Sequence, residues 1–337
     1  MPLGDDAATT VGLASMAAIP VGSLPEPPAG FQPGSHAFRV EVAGIASGEA
    51  VTNLVAPLAM TYQVDTAELA NAGGDLGRIQ LALRSGAGWL GLGCTSDAVS
   101  LVLNCEVPYA GEFQPLITPP ASATQDWDLP NGHLFKQANG FGGAGDLGYA
   151  VVDDSAAALW TEFQRLGGVD IVGYPISNRF QYHGFLTQAF QKLVLQWQPD
   201  LGQVTAVNVF DDLDQHGSDA WLNARKEIPR PNPSNDAGLD FAAVVDKHTA
   251  LLNAYPALSD YFAAQPDAID QFGLPTGVYH YGSLVSVRLQ RAVLQLWQID
   301  TPWASSSTVV VGNGGDQAKQ AGLWPLDALS PVPSQAP

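Results

Sequence analysis

Two pairs of neighbouring ring residues stand beside turn glycines. Tyr182 and His183 precede Gly184, and His280 and Tyr281 precede Gly282. Aromatic faces and planar amides suit sugar rings, which offer C–H patches and hydroxyls. With Gln188, Tyr279 and Arg288, these residues form the candidate ligand-binding set, and all seven are expected to be exposed. Binding residues concentrate on loops held by a rigid scaffold. A solvent-facing loop with no ligand is the competing reading. Trp160, Phe163, Trp197 and Trp297 have spacings that make core, and core is their expected role.

Other chemistry is thinly represented. Asp212, Asp214 and Asp219 have partial calcium-loop spacing. The twelfth position is Asn223 rather than a bidentate glutamate, so the alternative is a capped turn before a helix at AWLNARK. Gly143–Gly148 reads GAGDLG, but no apolar strand precedes it and a strand-like YAVVDD follows, the wrong context for a dinucleotide loop. No H-E-x-x-H, G-x-S-x-G or P-loop pattern occurs. No catalytic residue, metal site or cofactor is therefore expected, and the chain is read as a non-enzyme. Cys94 and Cys105 are the two cysteines. A hairpin would bring them face to face. A disulfide in an oxidising compartment is the expectation, and two buried thiols are the alternative.

The elements that must position these residues follow from composition and pattern. Acidic residues number 33 against 14 basic, a net charge of −19 that disfavours nucleic acid and anionic membrane as partners. No apolar run is long enough to span a membrane. The segment 1–23 has an apolar patch but no basic residue before it, and carries Asp5 and Asp6, so it reads poorly as a signal peptide. Residues 1–34 read as a flexible Pro/Ala-rich lead and 35–118 as an antiparallel β-sandwich, where FRVEVAG alternates Phe38, Val40 and Val42. A linker at 119–132 precedes a first repeat at 133–228. A second linker at 229–238 precedes a second repeat at 239–330, and 331–337 is a tail. The fold class is mainly β with some α: a sandwich followed by two small α+β repeats.

The repeat rests on ordered matches. IVGYPISNRFQYHGFLTQAFQKLVLQWQPD answers to QFGLPTGVYHYGSLVSVRLQRAVLQLWQID. Gly173, Pro175, Gly184, Gln191 and Trp197 pair with Gly273, Pro275, Gly282, Gln290 and Trp297, and FLTQAFQKLVLQW reads as strand. Each copy opens on a helix, the first with Leu159, Trp160, Phe163 and Leu166 on one face, the second starting at Pro256. Units this small are expected to pack on each other or on the sandwich. The G-x-P turns, the Q-x-F-Q and R-L-Q runs and the W-x-P-x-x-G-x-V segment resemble the LGFP repeat of bacterial envelope proteins. Where that family has a glycine pair, Gln191 with Lys192 and Gln290 with Arg291 stand here. The sandwich resembles immunoglobulin-like surface modules at Trp89 to Leu92 and Gly111 to Phe113. The resemblance implies an extracellular or cell-surface protein binding cell-wall polysaccharide or peptidoglycan. The alternative is a structural, self-assembling surface protein that contacts copies of itself or other surface proteins.

Overall fold

The computed structural model describes residues 12–45, 47–119 and 126–333. Strand makes up 37% and helix 24%, so the chain is mainly β with some α. It divides into two units: 1–153 with 174–180 and 319–337, and 154–173 with 181–318. No helix among the described residues is long and apolar enough to cross a membrane.

The first unit holds strands β1 (Gly12–Ile19), β2 (Gln32–Pro33), β3 (Ala37–Gly44), β4 (Asn53–Gln63), β5 (Ile79–Ser85), β6 (Gly88–Gly91), β7 (Thr95–Asp97), β8 (Val102–Tyr109) and β9 (Gly111–Ile117). One antiparallel sheet runs β1-β3-β9-β5-β6 with β2 added on β9; a second runs β4-β8-β7. Phe38, Val40 and Val42 are buried, as their alternation requires. Phe38 stacks on Phe113 of its own sheet at 5.5 Å and on Tyr62 of the other at 6.3 Å, which joins the two sheets as a sandwich. Helix α1 (Thr66–Asn71) starts at a capping box between Asp65 and Glu68. Thr95 lies opposite Asn104, which sets Cys94 opposite Cys105. The two are bonded, with Cα atoms 4.5 Å apart. Cross-linking so short a loop contributes roughly 2–3 kcal/mol.

Three sequence boundaries move, the first being the end of the second repeat: expected at 330, it falls at 318, because 319–337 belong to the first unit. The lead reads as flexible and Pro/Ala-rich, yet β1 occupies Gly12–Ile19, and Phe31 is buried with its ring edge-on to Phe141 at 5.1 Å. Residues 1–11 of the lead, 120–125 of the first linker and 334–337 of the tail lie outside the described residues. Residues 133–153 do not open the first repeat. They form β11 (Gly132–Phe135) and β12 (Leu147–Val152), which pair in a separate sheet with β10 (Trp127–Leu129) and with Val332–Pro333. The GAGDLG segment is a turn leading into β12, with Gly143 and Gly145 at positive φ.

The second unit is built twice. Helices α2 (Leu159–Arg165) and α3 (Gly168–Ile171) precede the meander β13 (Phe180–Tyr182), β14 (Phe185–Ala189), β15 (Val194–Gln198) and β16 (Gln203–Ala206), and α4 (Val209–Gln215) and α5 (Asp219–Lys226) follow. After α6 (Phe241–Thr249), helices α7 (Pro256–Ala264) and α8 (Ala268–Phe272) precede β17 (Pro275–Tyr281), β18 (Leu284–Leu289), β19 (Val293–Trp297) and β20 (Val309–Val311), followed by α9 (Gly314–Gln320). Each meander is a four-stranded antiparallel sheet in sequence order. The strand expected at FLTQAFQKLVLQW is a hairpin, closed by Phe190 N donating to Leu193 O at 3.0 Å.

Equivalent atoms in the two copies make equivalent bonds. Lys192 N donates to Val172 O at 3.1 Å, and Arg291 N to Phe272 O at 2.9 Å. Lys192 Nζ donates to Asp170 O, and Arg291 Nη1 to Asp270 O. Gly173 and Gly273, at φ 86° and 77°, leave no room for a Cβ, which would stand 2.8 Å from Gln191 Cβ and 2.7 Å from Gln290 Cβ. The copies are also reciprocally docked. Phe210 N, after the first sheet, donates to Gln290 O of the second turn at 3.0 Å; Asp316 N, after the second sheet, donates to Gln191 O of the first turn at 3.1 Å. A Cβ on Gly315 would fall 1.8 Å from Phe190 O, so that docking demands glycine. The copies therefore pack on each other.

One pairing read from sequence fails. Thr187 faces Gln196, and Ser286 faces Gln295, so Trp197 answers to Leu296 and Trp297 to Gln198. The second copy has one more residue between glutamine and tryptophan. A one-residue slip turns a side chain to the other face of a sheet. Trp197 thus lies on the face of Leu195 and Val204, whereas Trp297 lies on the face of Gln295.

Candidate functional site

The hairpin residues are less available than expected. Tyr182 is half-buried; its hydroxyl donates to Asp212 Oδ2 at 3.0 Å, and its ring stacks on His183 at 4.0 Å. Burial first, and then Asp212, push the Tyr182 hydroxyl pKa well up. Burial raises the Asp212 carboxyl, with Tyr182 and His183 opposing. His183 and Gly184 both have positive φ, the backbone of a two-residue hairpin turn. In the other copy Tyr279 and His280 are exposed, and Tyr281 is half-buried, accepting from Asn223 Nδ2 at 2.6 Å. His280 Nε2 lies 3.0 Å from Gln298 Oε1.

Gln188 and Arg288 are not exposed. Gln188 is 0% and Arg288 1% accessible. The turn at Phe190–Leu193 puts Gln188 opposite Leu195, on the face away from Gln196. Arg288 pairs with Asp219 Oδ1 at 2.6 Å, donates to the carbonyls of Phe210 and Pro229, and lies over the Phe210 ring. It ties β18 to the helices of the first copy. The three aspartates of the calcium reading are spent similarly: Asp212 and Asp214 sit in α4, not in a loop, and Asp219 holds Arg288. Burial and the adjoining Asp219 raise the Asp214 carboxyl. His36, Asp65 and Glu68 have metal-like spacing, but buried Glu68 already accepts from Tyr62 Oη, Ser35 N and Asp65 N.

A cleft absent from the sequence reading lies beside β19 and β20. It measures about 440 Å³, and its walls include Gln295, Trp303, Val310, Asn313, Gln317, Lys192 and Lys226. Trp303 is 65% exposed and meets Trp297 edge to face at 5.5 Å. Its loop is braced: Thr301 N donates to Ala304 O at 2.8 Å, Ser306 N to Asp300 Oδ1 at 2.8 Å, and Ser307 N to Trp297 O at 2.6 Å. Lys226, at the end of α5, stacks over Trp221 at 5.1 Å. Burial lowers the Lys192 ammonium pKa, with Asp170 opposing. The register places Tyr279, Ser286, Gln295 and Val310 in one row on one face, so Tyr279 and Tyr281 share the sheet face that the cleft opens on.

The two copies differ at this face. In the first, Gln196 donates to Tyr182 O at 3.0 Å and to Thr187 Oγ1 at 3.1 Å, and accepts from Gln198 at 2.9 Å. In the second, Ser286 Oγ, Trp297 Nε1 and Gln317 Oε1 are buried without a hydrogen-bond partner among the described residues. Buried polar atoms are nearly always paired; of these three, Gln317 lines the cleft, Ser286 faces its Gln295 and Trp297 meets its Trp303. The aromatic plate, amides and ammonium groups suit a polar ligand with apolar faces. The chain matches no family model, no curated protein and no solved structure.

Proposed function

We propose that this chain is a non-catalytic secreted or cell-surface protein that holds cell-wall glycan in the cleft beside β19 and β20, which both copies line. The contrast between the copies carries the reading: the polar row is closed on itself around Gln196, whereas Ser286 Oγ and Trp297 Nε1 beside Gln295 have no hydrogen-bond partner among the described residues. Trp303 offers a ring for the C–H face of a sugar, and Gln295, Asn313 and Gln317 offer amides to its hydroxyls. Lys192 and Lys226 supply donors for hydroxyl, amide or carboxylate oxygens. The resemblance to LGFP repeats supports wall polymer as the source of that glycan, and the disulfide suits an oxidising compartment.

The experiment is retention on isolated peptidoglycan and on wall polysaccharide. The whole chain is expected to sediment with at least one of them and to be released by soluble fragments of the same polymer. Failure to sediment with either would overturn the reading.

A further inference from the structure

The first unit carries a long, uncharged and exposed sheet edge. Strand β1 reads GLASMAAI: eight residues, no charge and no proline, in a chain of net charge −19. It pairs with β3 along its whole length, from Gly12 opposite Gly44 to Ile19 opposite Ala37. Among the described residues it is the end strand of its sheet. Leu13 to Ala18 are all exposed, Met16 at 62%. Folded proteins blunt such edges with charge, proline or a covering segment, because free N–H and C=O groups template further pairing.

We infer that β1 is a self-association edge, pairing antiparallel with β1 of a second copy about a two-fold axis at Met16. The inference is independent of the glycan reading. Identical edges are self-complementary when run antiparallel, and a two-fold axis normal to the sheet requires facing residues to share a side. Three registers near the strand centre satisfy this. Pairing about Met16 sets Leu13 against Ile19 and Ala14 against Ala18 of the second copy.

The flanking charges agree with that register, with Arg39 also paired to Glu112 of its own sheet at 2.5 Å. Ser15 lies opposite Glu41, and Ala17 opposite Arg39. With Met16 on the axis, each row across the joined sheet reads Arg39, Ala17, then Ser15 and Glu41 of the second copy. Opposite charges face each other over two small side chains, three strand spacings or roughly 14 Å apart at the backbone. Centring on Ser15 would align Glu41 with Glu41, and centring on Ala17 would align Arg39 with Arg39. Both set like charges in one row.

Light scattering on the whole chain over a concentration series tests the inference, with Met16→Lys, Met16→Cys and Leu13→Cys alongside. Wild type is expected to double in mass as concentration rises. Met16→Lys, which sets two ammonium groups on the axis, is expected to stay monomeric. Oxidised Met16→Cys is expected to give a covalent dimer, since paired strands hold facing Cα atoms within disulfide reach. Leu13→Cys, facing Ile19, is expected to give none. Met16 and Leu13 are exposed, so the fold survives these changes, and circular dichroism checks it. A wild type that is monomeric throughout, a Met16→Lys dimer as strong as wild type, or cross-linking through Leu13→Cys rather than Met16→Cys would overturn the inference.

Discussion

Replacing Arg288 by alanine is expected to cost the second unit about 3–5 kcal/mol, the usual consequence of removing one partner from a buried ion pair. Asp219 would be left without its cation at 2.6 Å, and the carbonyls of Phe210 and Pro229 would lose a shared donor. The unfolding midpoint should fall by about 10 °C. Arg288→Met with Asp219→Leu should recover most of the loss, because removing both charges leaves nothing buried and unpaired. Retention on wall polymer by the folded fraction should be unchanged. Thermal unfolding followed by circular dichroism measures this. A loss below about 1 kcal/mol, the range of an exposed pair, would show that this contact does not hold the copies together.

Trp303→Ala should act in the opposite way, on binding and not on stability. The ring is 65% exposed, so its loss removes little packing. Truncating a central aromatic at a binding site commonly costs on the order of 2 kcal/mol, roughly 30-fold in affinity. Tyr182→Ala with His183→Ala, on the hairpin of the first copy, should leave affinity near wild type. Titration calorimetry with soluble wall fragments separates these outcomes. Weaker binding in the hairpin variant and unchanged binding in Trp303→Ala would move the site to the hairpin.

Much of the framework was legible because local rules and tertiary packing agree. The alternation of Phe38, Val40 and Val42 named an inward face, Pro256 opened a helix, and Cys94 and Cys105 sat at matching distances from a turn. The repeat was visible because both copies keep the glycine that their shared turn demands. Other features depend on partners far along the chain. Arg288 reads as a surface cation until Asp219 and the carbonyl of Phe210 close around it. Continuous alternation through FLTQAFQKLVLQW puts Gln188 on an exposed face, but the hairpin at Phe190–Leu193 reverses the chain there, and one inserted residue changes the face at Trp297.

The cleft was hidden for the same reason. Trp303 comes from a braced loop, Gln317 from α9, Lys192 from the turn of the first copy and Lys226 from the end of α5. No short segment carries that set, and reciprocal docking of the copies is what gathers it. Strand β1 is not legible in the sequence because Leu13, Met16 and Ile19 recur every three residues and give no alternation of period two.

The most direct measurement is a two-dimensional amide and indole spectrum of the labelled chain, titrated with a soluble peptidoglycan fragment. The account predicts saturable shifts in the side-chain amides of Gln295 and Gln317 and in the indole N–H signals of Trp297 and Trp303, with those of Gln196 and Gln198 unmoved. Shifts confined to Tyr182, His183 and Gly184, or no saturable shift at all, would contradict it.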